Sequence, residues 1–395
     1  MLFGQCRSDL LLLLTAAHAI IPGADPTGRN DSSAALNTAI RSMCNATAGT
    51  AMVDGSAMLL PVARDAVLDL SGGVYRLDAP LAVDSGVRCT GMLRVRGGTL
   101  LAGEALGTRG SNHSFLVTVL SYWAGTGVSL EQLVFASNGT GGGLRVDAAH
   151  HVHVVDSVFL NFATTGIWGS ALLGMGHDLA VDRCRLTECT LSMTQCADIA
   201  AKRATAILIE FPDSHFRDSV ITCGKAGIVN RAGSNVFRGL HIWPSCTGNA
   251  PFGPNNTIGL ADESGGGTRI TDCYFDNSLL RISGYRGTTV TSSMFNGGSR
   301  LELVPSLHPG TPSASDPNCQ YWKGAVCSLI VKNNQFLCGT MGCAAINASY
   351  EFTQAAHVYI GDNAFERNAS TTCTSKAHSC IGVAECAALL TPCDP

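Results

Sequence analysis

Val154-Val155-Asp156-Ser157-Val158-Phe159 is the stretch that decides the fold, because the chain keeps returning to it. The pattern is an apolar residue, any residue, Asp or Asn, two more residues, and then an apolar residue that is usually Phe. It recurs as Ile270-Thr271-Asp272-Cys273-Tyr274-Phe275, Val331-Lys332-Asn333-Asn334-Gln335-Phe336 and Ile360-Gly361-Asp362-Asn363-Ala364-Phe365. Looser copies are Ala180-Val181-Asp182-Arg183-Cys184-Arg185, Phe216-Arg217-Asp218-Ser219-Val220-Ile221 and Val290-Thr291-Ser292-Ser293-Met294-Phe295. Copies lie roughly 20 to 40 residues apart, the range of a solenoid coil with variable loops. A strand with one buried face, a tight polar turn and a second buried residue make one rung. A single rung cannot bury its own apolar face, so rungs must stack. The recurring Asp156, Asp182, Asp218, Asp272 and Asp362 read as turn residues whose side-chain oxygens bond turn amides.

The composition agrees. Of 395 residues, 44 are Gly, while aromatics make up 6% and charged residues 14%. That balance argues against a helical bundle and against disorder, and suits many short strands joined by Gly, Asn and Ser turns. The net charge is -4 with no basic tract, which argues against nucleic acid as a partner, since neutralising phosphates takes clustered Lys and Arg. No later stretch is apolar and long enough to span a bilayer.

The first residues resemble a secretory signal: Arg7, the apolar run Leu10 to Leu14, and small residues at Ala17 and Ala19. Cleavage after Ala19 removes Cys6 and leaves an even 16 of the 17 cysteines, the parity expected of a disulfide framework in a secreted protein. Cys373, Cys380, Cys386 and Cys393 read as a stapled tail. Zinc is the competing reading for Cys338 and Cys343, but there is no CxxC pair and the histidines are scattered along the chain, so no metal is expected. Asn30, Asn45, Asn112, Asn138, Asn255, Asn347 and Asn368 each open a glycosylation triplet.

Downstream of the signal, Gly23-Ala24-Asp25-Pro26-Thr27-Gly28 precedes a Ser/Ala-rich segment in which Asn30 or Asp31 is placed to cap a helix. Leu36, Ala39, Ile40 and Met43 share one face of that helix. Such a helix would cover the open apolar end of the first coil. This segment resembles the N-terminal signature of the pectate-lyase-like superfamily, and the coil phrases extend the resemblance weakly over most of the chain. The resemblance implies an all-β, right-handed parallel β-helix with a capping helix. The expected organisation is a signal peptide at 1–19, a β-helix at 20–365 and a disulfide-rich tail at 366–395. It also implies a secreted, carbohydrate-active protein with a polysaccharide as partner. The reaction is not implied, because chemistry resides in the site and not in the fold.

A second strand type follows the phrase, as in Gly143-Leu144-Arg145-Val146-Asp147 and Ala206-Ile207-Leu208-Ile209-Glu210. Period two places the aliphatics inside and Arg145, Asp147, Glu210, Arg281 and Glu302 outside. Pro-rich interruptions at 243–256 and 305–323 read as loops walling a groove.

Hydrolysis in such a groove needs paired carboxylates. Lyase chemistry needs a base and a cation, with Ca²⁺ the candidate cofactor in that case. The short motifs of the superfamily's hydrolase, Ca²⁺-dependent lyase and epimerase branches do not occur. The densest candidate region runs from Glu210 to Arg286, with His241, Asp276, Glu210 and Arg281 as catalytic candidates and Trp243, Tyr285, Arg286 and Arg231 as substrate-binding ones. A His near neutrality can move a proton, aromatics stack on sugar faces, and Arg reads a carboxylate. Aligned on the repeat, His241 falls in the slot of Phe159 and Phe275, which competes with a catalytic role. Trp168 is read equally as packing or as a sugar platform. The alternative function is a non-catalytic glycan-binding or adhesion solenoid.

Overall fold

A computed structural model describes residues 21–374, apart from 47–50, 54–55, 59–64, 109–113, 123–125, 188–203, 223–225, 244–257, 265, 284–286, 298, 305–327, 338–342, 350–356 and 366–368. The signal segment, most of the Cys-rich tail, Tyr285, Arg286 and the two Pro-rich interruptions from residue 244 and residue 305 lie outside the described residues.

The chain winds as a right-handed parallel β-helix. A representative coil is His150–Val155, Val158–Leu160 and Thr165–Ser170. Equivalent strands of successive coils pair in parallel and build three sheets. Sheet 1 holds 11 strands from Ala66–Asp69 to His357–Gly361, and sheet 2 holds 12, from Thr27–Asp31 to Ala364–Phe365. Sheet 3 holds 11, from Leu81–Val83 to Ala369–Thr374. The last strand carries the solenoid beyond residue 365, and Cys373 lies on it.

One continuous core fills the triangle between the sheets. Sheet 3 contributes the fully buried row Leu144, Ile167, Ile207, Ile228, Leu260, Leu280 and Leu301. Sheets 1 and 2 share the aromatic volume coil by coil. Val154, Ile270, Val290 and Val331 of sheet 1 accompany Phe159, Phe275, Phe295 and Phe336 of sheet 2. Where sheet 1 carries Phe216 and Phe237, sheet 2 carries Ile221 and Ile242. One ring per pair keeps the cross-section at close-packed density. The rings stack along the axis, with Phe295 centred 4.9 Å from Phe275 and 4.6 Å from Phe336. This trade corrects the alignment of His241: Ile242 registers with Phe275, while His241 registers with Tyr274 on the outer face.

From the coil of Leu93–Arg96 onward, sheet 1 passes to sheet 2 through a two-residue turn. Its first residue is left-handed, as at Asp156 (φ 50°), Asp272 (φ 55°) and Asn333 (φ 57°), which Asp and Asn tolerate better than most residues. That conformation, rather than amide capping by the aspartates, explains their recurrence. In the coil of Asp182 the left-handed residue is Arg183 (φ 50°), so that copy of the phrase starts one residue later than the sequence suggests. In seven coils the second turn residue is a Ser, Cys or Asn that points inward and bonds the coil before it. Ser157 Oγ accepts the Leu133 N–H (3.2 Å), Asn334 Oδ1 the Ser293 N–H (2.9 Å) and Asn363 Oδ1 the Asn334 N–H (2.9 Å).

Cys184 and Cys273 occupy this same ladder position as buried free thiols. Burial pushes their pKa up to about 11 and about 12. A fully paired cysteine framework is therefore not what the chain builds. The described disulfide, Cys44–Cys89, ties the cap to the first coils.

The cap is the helix Ser33–Ala46. Asp31 Oδ1 accepts the Ser33 N–H (3.0 Å), and Leu36, Ile40 and Cys44 are buried on the first coil. Asn37 sews the helix down, donating to the Pro80 carbonyl (3.0 Å) and accepting the Ala82 N–H (2.8 Å). In the preceding loop Asp25 gathers the amides of Thr27 and Asn30. The Thr27 hydroxyl does most to hold its carboxyl well below the usual carboxylate range. Gly28 (φ 73°) is required there, because a Cβ would sit 2.8 Å from Val74 Cγ1.

Candidate functional site

After the capping segment, every long connection borders sheet 3. Residues 103–114, 188–204 and 244–257 lead into it from sheet 2, and 304–327 leads out of it to sheet 1. The turn between sheets 1 and 2 never lengthens in the same way. The outer face of sheet 3 is therefore the candidate floor of a binding trough.

That floor carries a line of charged groups. Glu210, Arg231 and Glu263 follow consecutive strands of sheet 3, and the Arg231 guanidinium binds both glutamates. Its Nη1 lies 3.0 Å from Glu210 Oε1, and its Nε lies 3.2 Å from Glu263 Oε2. Trp168 Nε1–H donates to Glu210 Oε2 (3.1 Å), and the Arg145 guanidinium lies 5.0 Å over its ring. Trp168 is thus committed to protein contacts and positions Glu210 instead of offering a free sugar platform. Further along, Arg281 Nε donates to Glu302 Oε2 (2.8 Å).

Asp147 departs from its expected outward place. It is fully buried where sheet 3 turns toward sheet 1, accepting from Arg145 Nη2 (2.6 Å), Ser170 Oγ (2.9 Å) and the Leu173 N–H (2.9 Å). The expected burial of aliphatics alone also fails at Asn230 and Asp262, both of which point inward and are fully buried. Asn230 Nδ2 donates to Asp262 Oδ1 (2.9 Å) and to Thr268 Oγ1 (3.1 Å), while Asn235 Nδ2 donates to Asn230 Oδ1 (2.7 Å). Burial without a cationic partner raises the Asp262 pKa to about 6. This inner Asn230–Asp262 pair spans the same two rungs as the outer Arg231–Glu263 pair, one residue behind it, so the network fixes the register of the trough charges.

The four catalytic candidates from sequence fall on two faces. Glu210 and Arg281 are on sheet 3, three coils apart, or about 14 Å at the usual strand spacing. His241 and Asp276 are on the outer face of sheet 2 in adjacent coils, with Trp243 two residues beyond His241. The His241 ring centre lies 4.6 Å from that of Tyr274. Asn296 Nδ2 donates to Tyr274 Oη (2.8 Å) and to Asp276 Oδ1 (3.3 Å), and His241 Nε2 is buried with no hydrogen-bond partner. Arg231 joins Glu210. Glu263 and Asp262 were missed: the stretch Gly259-Leu260-Ala261-Asp262-Glu263 carries the signal, an acidic pair at the same place as Ile209-Glu210 and Asn230-Arg231 in neighbouring coils.

Among the described residues, no group of three or more His, Cys, Asp or Glu could hold a metal ion, and no helix is long and apolar enough to cross a membrane. A Ca²⁺ ion takes six to eight converging oxygens. Glu210 and Glu263 diverge onto one guanidinium instead, so these residues do not fit a Ca²⁺ cage.

No protein-family model matches the chain. The polygalacturonase QRT3 of Arabidopsis thaliana is 25% identical over 312 residues, covering 71% of this chain and 61% of that protein. The chain therefore spans about three-fifths of the length of that curated relative. The endo-xylogalacturonan hydrolase of Aspergillus tubingensis has a TM-score of 0.53 at 12% identity, covering 91% of this chain and 99% of that one. PfbA, a surface adhesin of Streptococcus pneumoniae, has a TM-score of 0.50 at 11% identity, covering 89% and 91%. At those identities the two structures speak to fold alone. The N-terminal Gly-Ala-Asp-Pro-Thr-Gly cap, the three all-parallel sheets and the QRT3 relative together make the chain similar to the pectate-lyase-like right-handed parallel β-helix proteins, whose fold it shares.

Proposed function

We propose that this is a secreted polysaccharide-active enzyme that takes an acidic glycan in the trough over sheet 3 and cleaves it by glycosidic hydrolysis. One observation carries the reading: two glutamates, Glu210 and Glu263, held by Arg231 on the face that all the long connections border. The backbones of the glutamates stand two rungs apart, about 9–10 Å at the usual strand spacing, and Arg231 draws the two carboxylates inward of that distance. That is close to the roughly 6.5–9.5 Å at which an acid and a base flank a bond and leave room for water. Arg231 offers a planar fork that matches a uronate carboxylate. A substrate carboxylate entering that fork releases one glutamate, which takes up a proton from solvent and passes it to the leaving oxygen, while the other, still ionised, takes a proton from the attacking water. The disulfide, the leader-like N-terminus and the exposed sequon at Asn138 support an extracellular location.

A second reading, glycan binding without cleavage, is favoured by a separate observation. Both glutamates are neutralised by one guanidinium, and the marked catalytic motifs of the superfamily do not occur. Incubating the protein with polyuronates and neutral glycans separates the two. New reducing ends without the ultraviolet absorbance of an unsaturated product, lost in Glu210→Gln and Glu263→Gln, establish hydrolysis. The unsaturated product would mean elimination. Retention on a polyuronate column with neither signal would replace the enzyme reading with the binding one.

A further inference from the structure

Four of the chain's 11 histidines gather at one corner. His150, His151 and His153 lie on the strand His150–Val155, and His177 opens the next strand of sheet 1, His177–Asp182. His150 registers directly with His177. Ring centres are 4.7 Å apart for His150 and His151, 5.7 Å for His150 and His177, and 6.0 Å for His151 and His177. Asp178 reaches two of the rings: its Oδ2 lies 2.8 Å from His177 Nδ1 and 3.3 Å from His151 Nδ1. The side chains of His151 and His177 are 49% and 40% exposed.

Arg94 and Glu131 on neighbouring strands are paired with each other (2.7 Å), and Arg217 is a further cation acting on His153. The backbone is shaped for this cluster, with His151 and Asp178 both left-handed (φ 52° and 59°). Gly127 makes room, since a Cβ there would collide with the His151 carbonyl. His150 and His177 start their strands just after sheet 3 ends at Asp147 and Ser170, so the corner borders the trough beside Arg145 and Trp168.

We propose that this histidine corner is a second binding site for the carboxylates of an acidic polysaccharide, occupied in acid and released toward neutrality. The choice of ligand rests on the acidic-glycan reading of the trough. Imidazole is the side chain whose charge changes near pH 6.5, and charged rings this close together repel one another. Burial first, then the neighbouring His151, holds the pKa of His150 and of His153 below the ordinary value. A polyanion offsets that repulsion, so binding and proton uptake reinforce each other. A polymer lying in the trough reaches the corner without a second encounter, which raises its effective concentration there.

The test is the affinity of the full chain for polygalacturonate, whose carboxylates stay ionised throughout, at about pH 5 and about pH 8 in low salt. The wild type is expected to bind about tenfold more tightly at the lower pH. The double variant His151→Asn, His177→Gln, in which Asn accepts the left-handed backbone, should bring that ratio to about one while keeping the affinity at the higher pH. Arg231→Ala should weaken binding at both pH values and leave the ratio intact. A ratio unchanged in the histidine variant overturns this inference alone. An Arg231→Ala protein that binds as wild type, with the ratio still abolished by the histidine changes, overturns the trough reading alone. No binding by the wild type at either pH overturns both. As a readout independent of affinity, the His150 and His153 imidazole resonances should titrate at higher pH when polygalacturonate is added, and an unmoved titration counts against the corner.

Discussion

The corner between sheets 1 and 2 and the corners that border sheet 3 belong to the same winding but differ in what they tolerate. The first keeps one length and one left-handed residue, followed in seven coils by an inward Ser, Cys or Asn that bonds the coil before it and in others by Gly98, Leu133 or Leu240. The others vary from coil to coil, carrying the long connections, the buried polar network at Asp262 and the histidine corner. A repeat held constant on one edge frees the opposite edges to change, because the stacking energy there no longer depends on loop length.

Breaking the uniform side should have the largest effect. Phe275→Ala removes a ring stacked within the sheet 2 column and should cost about 3–5 kcal/mol, read from the denaturant midpoint. A loss under about 1 kcal/mol would mean that the coil collapses around the gap. Next, Asn334→Ala deprives the buried Ser293 N–H of its acceptor and should cost about 1–3 kcal/mol.

The variable side should show itself as pH dependence. The folded pKa of Asp262 is raised, so its contribution is fully present below the ordinary carboxylate value of 3.8 and is lost as pH rises through about 6. Asp262→Asn should remove that slope, about 1–3 kcal/mol between pH 4 and pH 7.5, in urea titrations at several pH values. His150 and His153 act with the opposite sign, their depressed folded values withdrawing stability as pH falls below 6.5.

The smallest effects sharpen the contrast. Cys273→Ser should change stability by less than about 1 kcal/mol, because Ser157, Ser219 and Ser293 already fill equivalent ladder positions. The native thiol should resist labelling until the chain unfolds. Arg231→Ala should shift stability by only about 0–1 kcal/mol, since its ion pairs are partly exposed, and yet it should weaken glycan binding.

Much of the fold was legible in the residues. The phrase around Asp156 marks each passage from sheet 1 to sheet 2, and Leu36 and Ile40 face the first coil from the capping helix as their spacing requires. The candidate site was legible only in part. Glu210 and Arg231 do meet, but His241 and Asp276 follow the short turn into sheet 2 and so belong to another face; the move of that coil's Phe to Phe237 on sheet 1 shifted only the apparent alignment of His241. Period two could not show that Asn230 and Asp262 point inward, since polarity alone assigns such residues to solvent.

What the sequence determined by itself is the winding: local turn chemistry and alternation repeat in every coil, and each copy carries its own signal. What only the tertiary structure decided is which side chains from separate coils share a neighbourhood, such as Glu210 with Glu263 across Arg231, or His150 with His177. Register between rungs follows from the volume of the whole cross-section and the length of each loop, and neither quantity resides in any single stretch of chain.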